Sequence, residues 1–384
     1  MTVPVPARRR SLWIVAPFAL IVAVAALWSG FWLYASRSAE AAIAAWRAEE
    51  ARLGRTYACG SQTIGGYPFR IEVRCADASA ELRDGTPLLV RVKGVLVVAQ
   101  VYQPRLLIAE IAGPATVEEP GRPPAFAADW RLAQMSLRGD PTDPERLSLV
   151  AEGLTVDRPA MSGTEPLFAA ARLELHGRVD PGSMPGNPIL DVAARVSAGA
   201  APALGAAGAS PTNAEIDTVL RGLSGTPFMP LPALMRQLQA AGGRLEIRSA
   251  RLQQLETTAL ATGTLGLSQS GRLDGTLRLT VAGLEPFLTR SSLDRMLQPP
   301  AADRGMPGGL NSLAPVLGNL DRLLPGLGQV ARSSANASTV AAGLSLIGSR
   351  TELDGKPAIA LPLRFTDGAA ALGPVPLGRI APLF

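Results

Sequence analysis

Residues that usually carry catalysis are scarce in this sequence of 384 residues. It has one histidine, His176, and two cysteines, Cys59 and Cys75. These leave too few ligands for most zinc sites, and the lack of a C-x-x-C motif argues against redox catalysis. Neither a nucleophile elbow nor a P-loop sequence occurs. His176 stands on the polar side of a predicted strand, so we expect a solvated surface histidine, no catalytic residue, no cofactor and no metal.

Aromatic residues and lysines are also few. Aromatics make up 5% of the chain, and Lys93 and Lys356 are its only lysines. Lys and Arg total 37 against 32 Asp and Glu, for a net charge of +5, but the arginines are scattered along predicted strands. A nucleic-acid groove combines clustered basic residues with stacking aromatics, so we expect no nucleic-acid partner.

Charge is missing altogether between Arg10 and Arg37, where 26 uncharged residues include the apolar run Leu12–Tyr34. At about 1.5 Å per residue this run exceeds the ~30 Å hydrocarbon core of a bilayer. Its ends carry aromatic residues that favour the headgroup level and predict a membrane belt, namely Trp13 at one end and Trp28, Trp32 and Tyr34 at the other. We therefore predict a transmembrane anchor at residues 12–35.

The arginines at positions 8–10 place the N-terminus (1–11) in the cytoplasm by the positive-inside rule, and the remainder is then exported. A cleaved signal peptide is the alternative, because Ser36–Ala39 offers small residues for cleavage. The apolar run is longer than the usual signal core of ~7–15 residues, which favours an uncleaved anchor.

Beyond the anchor, Ala39–Leu53 consists of strong helix formers, and Gly54 would end that helix. We predict a helical stalk at 36–56 and a mainly-β domain at 57–384, with an optional sub-division at the linker 197–213. Alternating segments separated by Asp-Gly and Pro-Gly turns predict antiparallel strands. The predicted fold class is α+β, mainly β: a transmembrane helix, a large curved antiparallel sheet and a few packed amphipathic helices.

The predicted strands and helices are as follows. Strands are expected near 71–74, 88–102, 106–111, 130–137, 147–156, 173–179, 244–255, 259–267, 275–281 and 359–365. Helices are expected at 216–223, where Ile216, Val219, Leu220 and Leu223 fit one helical face with Thr212 or Asn213 as N-cap, and at 231–241, 285–297 and 310–330. The last of these helices carries a leucine stripe, Leu310 to Leu324.

Two local features stand out. Cys59 and Cys75 flank a turn and a strand, and in an oxidising compartment they would form a disulfide; two small buried apolar residues are the alternative. The second feature is the turn Gly65-Gly66-Tyr67-Pro68-Phe69-Arg70. We favour a structural role, with the two rings packed on the end of the sheet, over a recognition loop near the membrane.

These elements resemble a bacterial family of unknown function, DUF2125. The resemblance lies in the Arg-flanked anchor, the short helix, the G-G-Y-P-F-R turn that leads into a strand ending at Cys75, and the C-terminal segments Phe365–Gly368 and Leu372–Gly378. It covers nearly the whole chain and implies no known activity. The G-x-L-x-G-x-L-x-L-x-V pattern of Gly271–Val281 is more distantly similar to AsmA-like envelope proteins, which implies a long curved sheet able to hold acyl chains.

The sequence thus predicts a single-pass inner-membrane protein with a periplasmic domain, not an enzyme, that binds lipid or maintains the envelope. Its expected partners are the membrane and lipid. The alternative is an assembly partner of other envelope proteins, docking through the leucine-striped helix at 310–324. An undetected hydrolase is a third hypothesis and would need a pair of acids, or a serine with a base, in an open cleft.

Overall fold

The structure is a computed structural model that describes residues 12–83, 87–140, 143–160, 163–184, 186–204, 206–224, 231–283, 348–373 and 375–383. In these residues the chain forms the helices α1 (Leu12–Arg52), α2 (Ala206–Ala209) and α3 (Leu231–Ala240) and a 17-stranded sheet. The strands are β1 (Arg55–Gly65), β2 (Arg70–Leu82), β3 (Leu88–Gln100), β4 (Gln103–Glu118), β5 (Pro124–Asp129), β6 (Leu132–Asp140), β7 (Asp143–Ala160), β8 (Gly163–Val179), β9 (Leu190–Gly199), β10 (Thr212–Arg221), β11 (Arg244–Gln254), β12 (Thr257–Leu267), β13 (Leu273–Ala282), β14 (Ser349–Leu353), β15 (Lys356–Thr366), β16 (Ala369–Leu372) and β17 (Val375–Arg379). The mainly-β prediction is confirmed.

Helix α1 joins the apolar run and the alanine-rich stretch into one continuous helix that ends at Arg52. Gly54 follows in the left-handed region, with φ of 80°, and its N–H donates to the carbonyl of Ala51 at 3.1 Å. A glycine in this conformation is the usual helix stop, as the sequence predicted. The helix is long and apolar enough to cross a membrane.

The sheet is an antiparallel meander in which nearly every strand pairs with the strand that follows it. β5 and β6 lie end to end between β4 and β7. At the far side, β13 pairs with one side of β15, while β14 and β16 pair with the other and β17 with β16. Short turns between consecutive strands produce this order.

One face of the sheet carries a continuous apolar row from β1 to β15. Because register partners share a face, a single row can be followed across thirteen strands. This row, here called the apolar row, consists of Ile64, Val73, Val97, Ala109, Met135, Leu149, Leu175, Ala194, Ile216, Ala250, Ala261, Leu279 and Leu361. The face that carries it is called the apolar face below.

Among the described helices, α3 packs against one end of the apolar face. Leu238 of α3 is buried together with Leu190, Leu220 and Leu223. Away from this cluster most side chains of the apolar row are only half-buried, and Leu175 is 42% exposed. The face therefore offers apolar surface beyond what its own core uses.

The opposite face between β6 and β11, called the polar face, carries cross-strand ion pairs. Glu174 of β8 is the register partner of Arg195 in β9, which in turn faces Glu215 in β10. Arg195 Nη2 lies 2.5 Å from Glu215 Oε1. Opposite charges placed directly across neighbouring strands stabilise the pairing.

The helix predicted at 216–223 is wrong: residues Thr212–Arg221 form strand β10, paired on both sides. Thr218, Val219 and Leu220 are buried in succession, so both faces of the strand end are covered. Consecutive buried positions imitate the i, i+3, i+4 spacing of a helix, while β-branched residues favour the extended form. Strands β9 and β10 pair directly on either side of the predicted linker.

Helix 231–241 is confirmed as α3, which precedes Gly242 and Gly243. The predicted strands are found, with the hairpin β12–β13 turning at Gly271. The helices predicted at 285–297 and 310–330, and the leucine stripe with them, lie outside the described residues.

Candidate functional site

The turn between β1 and β2 is a tight structure built around Gly66. Gly66 has φ of 97°, and its carbonyl accepts the N–H of Arg70 at 3.1 Å. A Cβ at Gly66 would lie 2.7 Å from the Arg70 carbonyl oxygen, whereas one at Gly65 would meet nothing within 4 Å. The peptide bond between Tyr67 and Pro68 is cis. Of Gly65 and Gly66, only Gly66 has a backbone conformation and surroundings that require glycine.

This turn contacts helix α1 at two tryptophans. Trp28 Nε1 donates to the carbonyl of Pro68 at 2.9 Å, and Trp32 Nε1 donates to the carbonyl of Arg70 at 2.9 Å. The ring of Trp32 meets that of Tyr67 edge-on, with centroids 5.5 Å apart. The ring of Trp28 lies 6.1 Å from Phe69. The turn is thus held by donors and rings of the predicted membrane belt.

A hydroxyl pair adds to this contact, since Ser29 Oγ lies 2.9 Å from the hydroxyl of Tyr67. Sequence reasoning missed Ser29, which is a small polar residue one helical position from Trp28. Ser29 Oγ also donates to the carbonyl of Ala25 in its own helix at 2.7 Å, so its place in an apolar run does not by itself indicate the contact with Tyr67.

A second contact joins the far part of α1 to β1. The rings of Trp46 and Tyr57 stack with centroids 4.8 Å apart, and Arg47 Nη2 lies 3.2 Å from Cys59 Sγ. From Trp28 to Trp46 the helix rises about 27 Å at 1.5 Å per residue. The stalk predicted at 36–56 is helical only as far as Arg52, and β1 already begins at Arg55. The helix lies along the edge strand β1 over that length.

The disulfide between Cys59 and Cys75 is present and confirms the sequence prediction. It joins β1 to β2 with a Cα–Cα distance of 5.4 Å and a sequence separation of 16. Because it closes the same hairpin whose turn contacts Trp28 and Trp32, it fixes the strands that hold that turn.

Exposed aromatic rings cluster at this end of the sheet, called the anchor end. Tyr67 is 55% exposed, Phe69 62% and Tyr102 68%. Tyr102 lies in the β3–β4 turn, whose Val101 N–H donates to the carbonyl of Phe69 at 3.0 Å. Phenol and phenyl rings at a membrane–water boundary lie at headgroup depth, so the cluster suits contact with a bilayer surface. Sequence reasoning missed Tyr102, an aromatic residue between two apolar strands.

The predicted site residues have different positions in the structure. Gly65, Gly66, Tyr67, Pro68, Phe69 and Arg70 form the turn, and Trp28 and Trp32 contact it. The rings of Tyr67 and Phe69 contact Trp32 and Trp28 of α1, and their packing on the end of the sheet stays a prediction. Tyr34 is 70% exposed, and the side chain of Trp13 lies outside what the structure describes.

The charged groups of the polar face are arranged in ion pairs. Arg172 Nη1 lies 2.6 Å from Glu152 Oε1, and a hydrogen bond from Arg172 lowers the pKa of the Glu174 carboxyl from its ordinary value. His176 stands on the same face, 44% exposed in its side chain, with Nε2 3.7 Å from Glu174 Oε2. In the part of the chain that the structure describes, no group of three or more His, Cys, Asp or Glu could hold a metal ion.

Comparison with known proteins gives one family. A search of curated proteins finds no match. A family model described as "Uncharacterized protein conserved in bacteria (DUF2125)" matches residues 32–381. The match begins at Trp32 and includes the turn, the disulfide and the whole described sheet up to β17. The chain is therefore a member of the DUF2125 family.

Proposed function

We propose that this protein is a non-enzymatic, single-pass inner-membrane protein whose periplasmic sheet holds lipid acyl chains along its apolar face and so serves the cell envelope. The apolar row carries the proposal, because thirteen successive strands contribute no charged or polar side chain to it. Burial of hydrocarbon against such a surface is favourable and needs no directional contacts.

The row begins beside the anchor. Ile64 lies in β1, the strand along which α1 runs, and it precedes the turn that Trp28 and Trp32 hold. Strands are about 4.8 Å apart, so twelve steps cover about 58 Å. An acyl chain that fills one leaflet spans about 15 Å, half of the ~30 Å core. The apolar row is therefore long enough to hold more than one acyl chain.

A neighbouring row, one step closer to the anchor end, is also uncharged. It includes Ile71, Leu107, Leu137, Leu147, Val192, Ile247, Leu277 and Leu363, together with one hydroxyl residue, Thr218. Ile71 directly follows Arg70, whose carbonyl accepts Trp32. The apolar surface therefore starts one residue after the contact between Arg70 and Trp32 of helix α1.

The junction also supports an uncleaved anchor. Cleavage at Ser36–Ala39 would remove Trp28, Ser29 and Trp32, and with them the contacts of the β1–β2 turn. Arg8, Arg9 and Arg10 favour a cytoplasmic N-terminus. A disulfide is stable in an oxidising compartment such as the periplasm, so the Cys59–Cys75 bond supports export of the sheet.

The likeness of Gly271–Val281 to AsmA-like envelope proteins agrees with the proposal. That segment forms the β12–β13 turn and strand β13, where Leu277, Leu279 and Val281 lie on the apolar face. Long sheets in that group are expected to hold acyl chains, which is the role proposed here.

Site-specific photo-crosslinking tests the lipid contact. A photoreactive amino acid is placed at Leu175 or Leu252 on the apolar face, or at Gln253 as the matched control. Leu252 and Gln253 are adjacent and both exposed, but strand alternation points them to opposite faces. Irradiation of whole cells should attach lipid at Leu175 and Leu252 and not at Gln253. Equal yields at all three positions, or none at Leu175, would refute the proposal.

Cysteine labelling tests the location. The native cysteines are both in the disulfide, so an introduced cysteine is the only free thiol. A membrane-impermeant maleimide should label a cysteine at Leu383 in intact spheroplasts, and should label one at Thr2 only after lysis. Labelling of the Thr2 position in intact spheroplasts would place the N-terminus outside and contradict the orientation.

A further inference from the structure

Three arginines stand side by side on the polar face. Arg138 of β6 is the register partner of Arg146 in β7, and Arg146 is the partner of Arg178 in β8. Like charges directly opposite one another in a sheet are destabilising. An anion bound against these three strands would therefore relieve the repulsion among the arginines.

The carboxylates nearby neutralise only part of this charge. Arg178 Nη2 lies 2.6 Å from Asp191 Oδ2, and Arg248 Nη1 lies 3.6 Å from Asp191 Oδ1. Among the described residues, the side chains of Arg138 and Arg146 have no hydrogen bond or ion pair. Glu145, next to Arg146 in the chain, pairs instead with Arg105 at 3.4 Å.

Elsewhere on the polar face Arg221 and Arg244 are also register partners, but Arg221 Nε lies 3.6 Å from Glu246 Oε2. Four residues along β8 from Arg178, a row across β8, β9 and β10 alternates in sign through Glu174, Arg195 and Glu215. Arg131 and Arg172 both reach Glu152, at 2.8 Å and 2.6 Å. Arg131, Arg172 and Arg195 are each paired with an acid, whereas both register partners of Arg146 are arginines.

Two members of the row, Arg146 and Arg178, line a cavity of about 320 Å³, and Arg138 lies beside Arg146. Donors converge on it from two neighbouring rows: the guanidinium groups of Arg146, Arg178 and Arg248, the hydroxyl of Ser148 and the imidazole of His176. Ser148 and His176 are register partners, so the hydroxyl and the ring face each other across β7 and β8. Asp191 and Asp217 also line the cavity, and three arginines against two aspartates leave it with excess positive charge.

We infer that this arginine site binds a phosphate group. The planar fork of a guanidinium matches the oxygen geometry of phosphate, and hydroxyl and imidazole N–H groups complete a donor set around such an anion. The ligand lies on the polar face, opposite the apolar row, so the inference stands independently of acyl-chain binding. Either a phospholipid headgroup or free phosphate offers this chemistry.

The position of the site does not decide between a phospholipid headgroup and free phosphate, but a binding experiment with two probes can. Arg138 is the register partner of Leu106, in the strand that follows Tyr102, so the site lies toward the anchor end of the sheet. Calorimetric titration would use delipidated full-length protein in dodecyl maltoside micelles, which contain no phosphate, with inorganic phosphate and glycerol phosphate as probes. Tighter binding of glycerol phosphate indicates a headgroup, and equal binding indicates free phosphate.

The decisive variant removes the two unpaired arginines. Arg138→Gln together with Arg146→Gln should weaken binding of the preferred probe by at least about tenfold, because the contact from Arg146 and the positive charge of Arg138 beside it are both lost. Arg131→Gln is the control, since it removes one exposed arginine from the same face that pairs with Glu152. Wild-type protein that binds neither probe, or a double variant that binds as wild type, would overturn the inference.

A stability measurement separates loss of the site from misfolding. Without phosphate, Arg146→Glu places an acid between Arg138 and Arg178 and should raise the thermal midpoint while abolishing phosphate binding. The same variant should lose the stabilisation that added phosphate gives to wild-type protein. A midpoint that falls in Arg146→Glu would show that Arg146 is already compensated, and would contradict the site.

Discussion

Trp28 and Trp32 do more than mark the depth of a bilayer. Each is a large amphipathic ring, and each uses its one N–H on a backbone carbonyl of the β1–β2 turn, Pro68 or Arg70. The rings also contact Phe69 and Tyr67. The same side chains that suit the headgroup region therefore orient the sheet on its anchor.

Trp32→Phe keeps the ring and removes the N–H donor. The hydrogen bond is solvent-accessible, so its loss should cost about 0.5–1 kcal/mol of local stability. Amides of the turn, including the Arg70 N–H that bonds Gly66, should exchange about two- to fivefold faster by hydrogen-exchange mass spectrometry. Tyr34→Phe is the control, because Tyr34 is 70% exposed. Unchanged exchange in Trp32→Phe would show that the turn is held without the indole.

At the scale of single residues, the sequence indicated which side chains matter but not what they contact. The pairing of Cys59 with Cys75 and the stop at Gly54 follow from local chemistry and were predicted. The contacts of Trp28 and Trp32 join residues about forty positions apart in the chain. They depend on β1 running back along α1, which composition does not reveal.

Among the structural elements, the β1–β2 turn offers a matched pair of glycines. Gly66→Ala puts a Cβ 2.7 Å from the Arg70 carbonyl oxygen at a left-handed φ of 97°, whereas Gly65→Ala has open space. A side chain in the left-handed region costs about 1–2 kcal/mol. The urea midpoint of full-length protein in detergent should fall for Gly66→Ala and stay near wild type for Gly65→Ala. Equal midpoints for the two variants would contradict the turn geometry.

The alternation of apolar and polar residues predicted most strands, but it did not predict strand β10. Ile216 and Leu220 lie on the apolar face, while Val219 is fully buried on the opposite face. A strand buried on both faces loses the period of two and can take on a helical spacing. The long apolar run that forms β3 is equally ambiguous between helix and strand by its spacing alone. Its β-branched residues favour the strand.

At the scale of the whole molecule, the register between neighbouring strands could not be predicted from the sequence. The apolar row exists because bulges between Asp217 and Thr218, and between Ile247 and Ala250, keep apolar partners aligned across β10, β11 and β12. A slip of one residue at either place would move every later side chain to the other face. The arginine row, likewise, becomes visible only once β6, β7 and β8 are aligned.

The ion pairs of the polar face make a prediction about pH. A hydrogen bond from Arg131 lowers the pKa of Glu152, and one from Arg172 lowers the pKa of Glu174, each from its ordinary value. A carboxyl whose pKa is lower in the folded state stabilises the fold above its unfolded pKa, and that contribution disappears as the pH falls through the folded value.

Stability should therefore be level from pH 7 to about 5 and should fall below about 4.5. The urea midpoint measured over this range checks the expectation. Combining Glu152→Gln with Glu174→Gln should lower the midpoint at pH 7 and flatten its decline in acid. A double variant with the same acid decline as wild type would mean that other carboxyls control it.

The central claim is that lipid lies on the apolar face, and bound lipid per chain is its most direct measure. Full-length protein would be purified in detergent, washed free of loosely held lipid and extracted for quantitative mass spectrometry. Wild type and Gln253→Arg should retain at least about one phospholipid per chain, whereas Leu175→Arg with Leu252→Arg should retain far less, because a charge on the row repels hydrocarbon. Equal lipid in all three proteins, or none in wild type, would contradict the account.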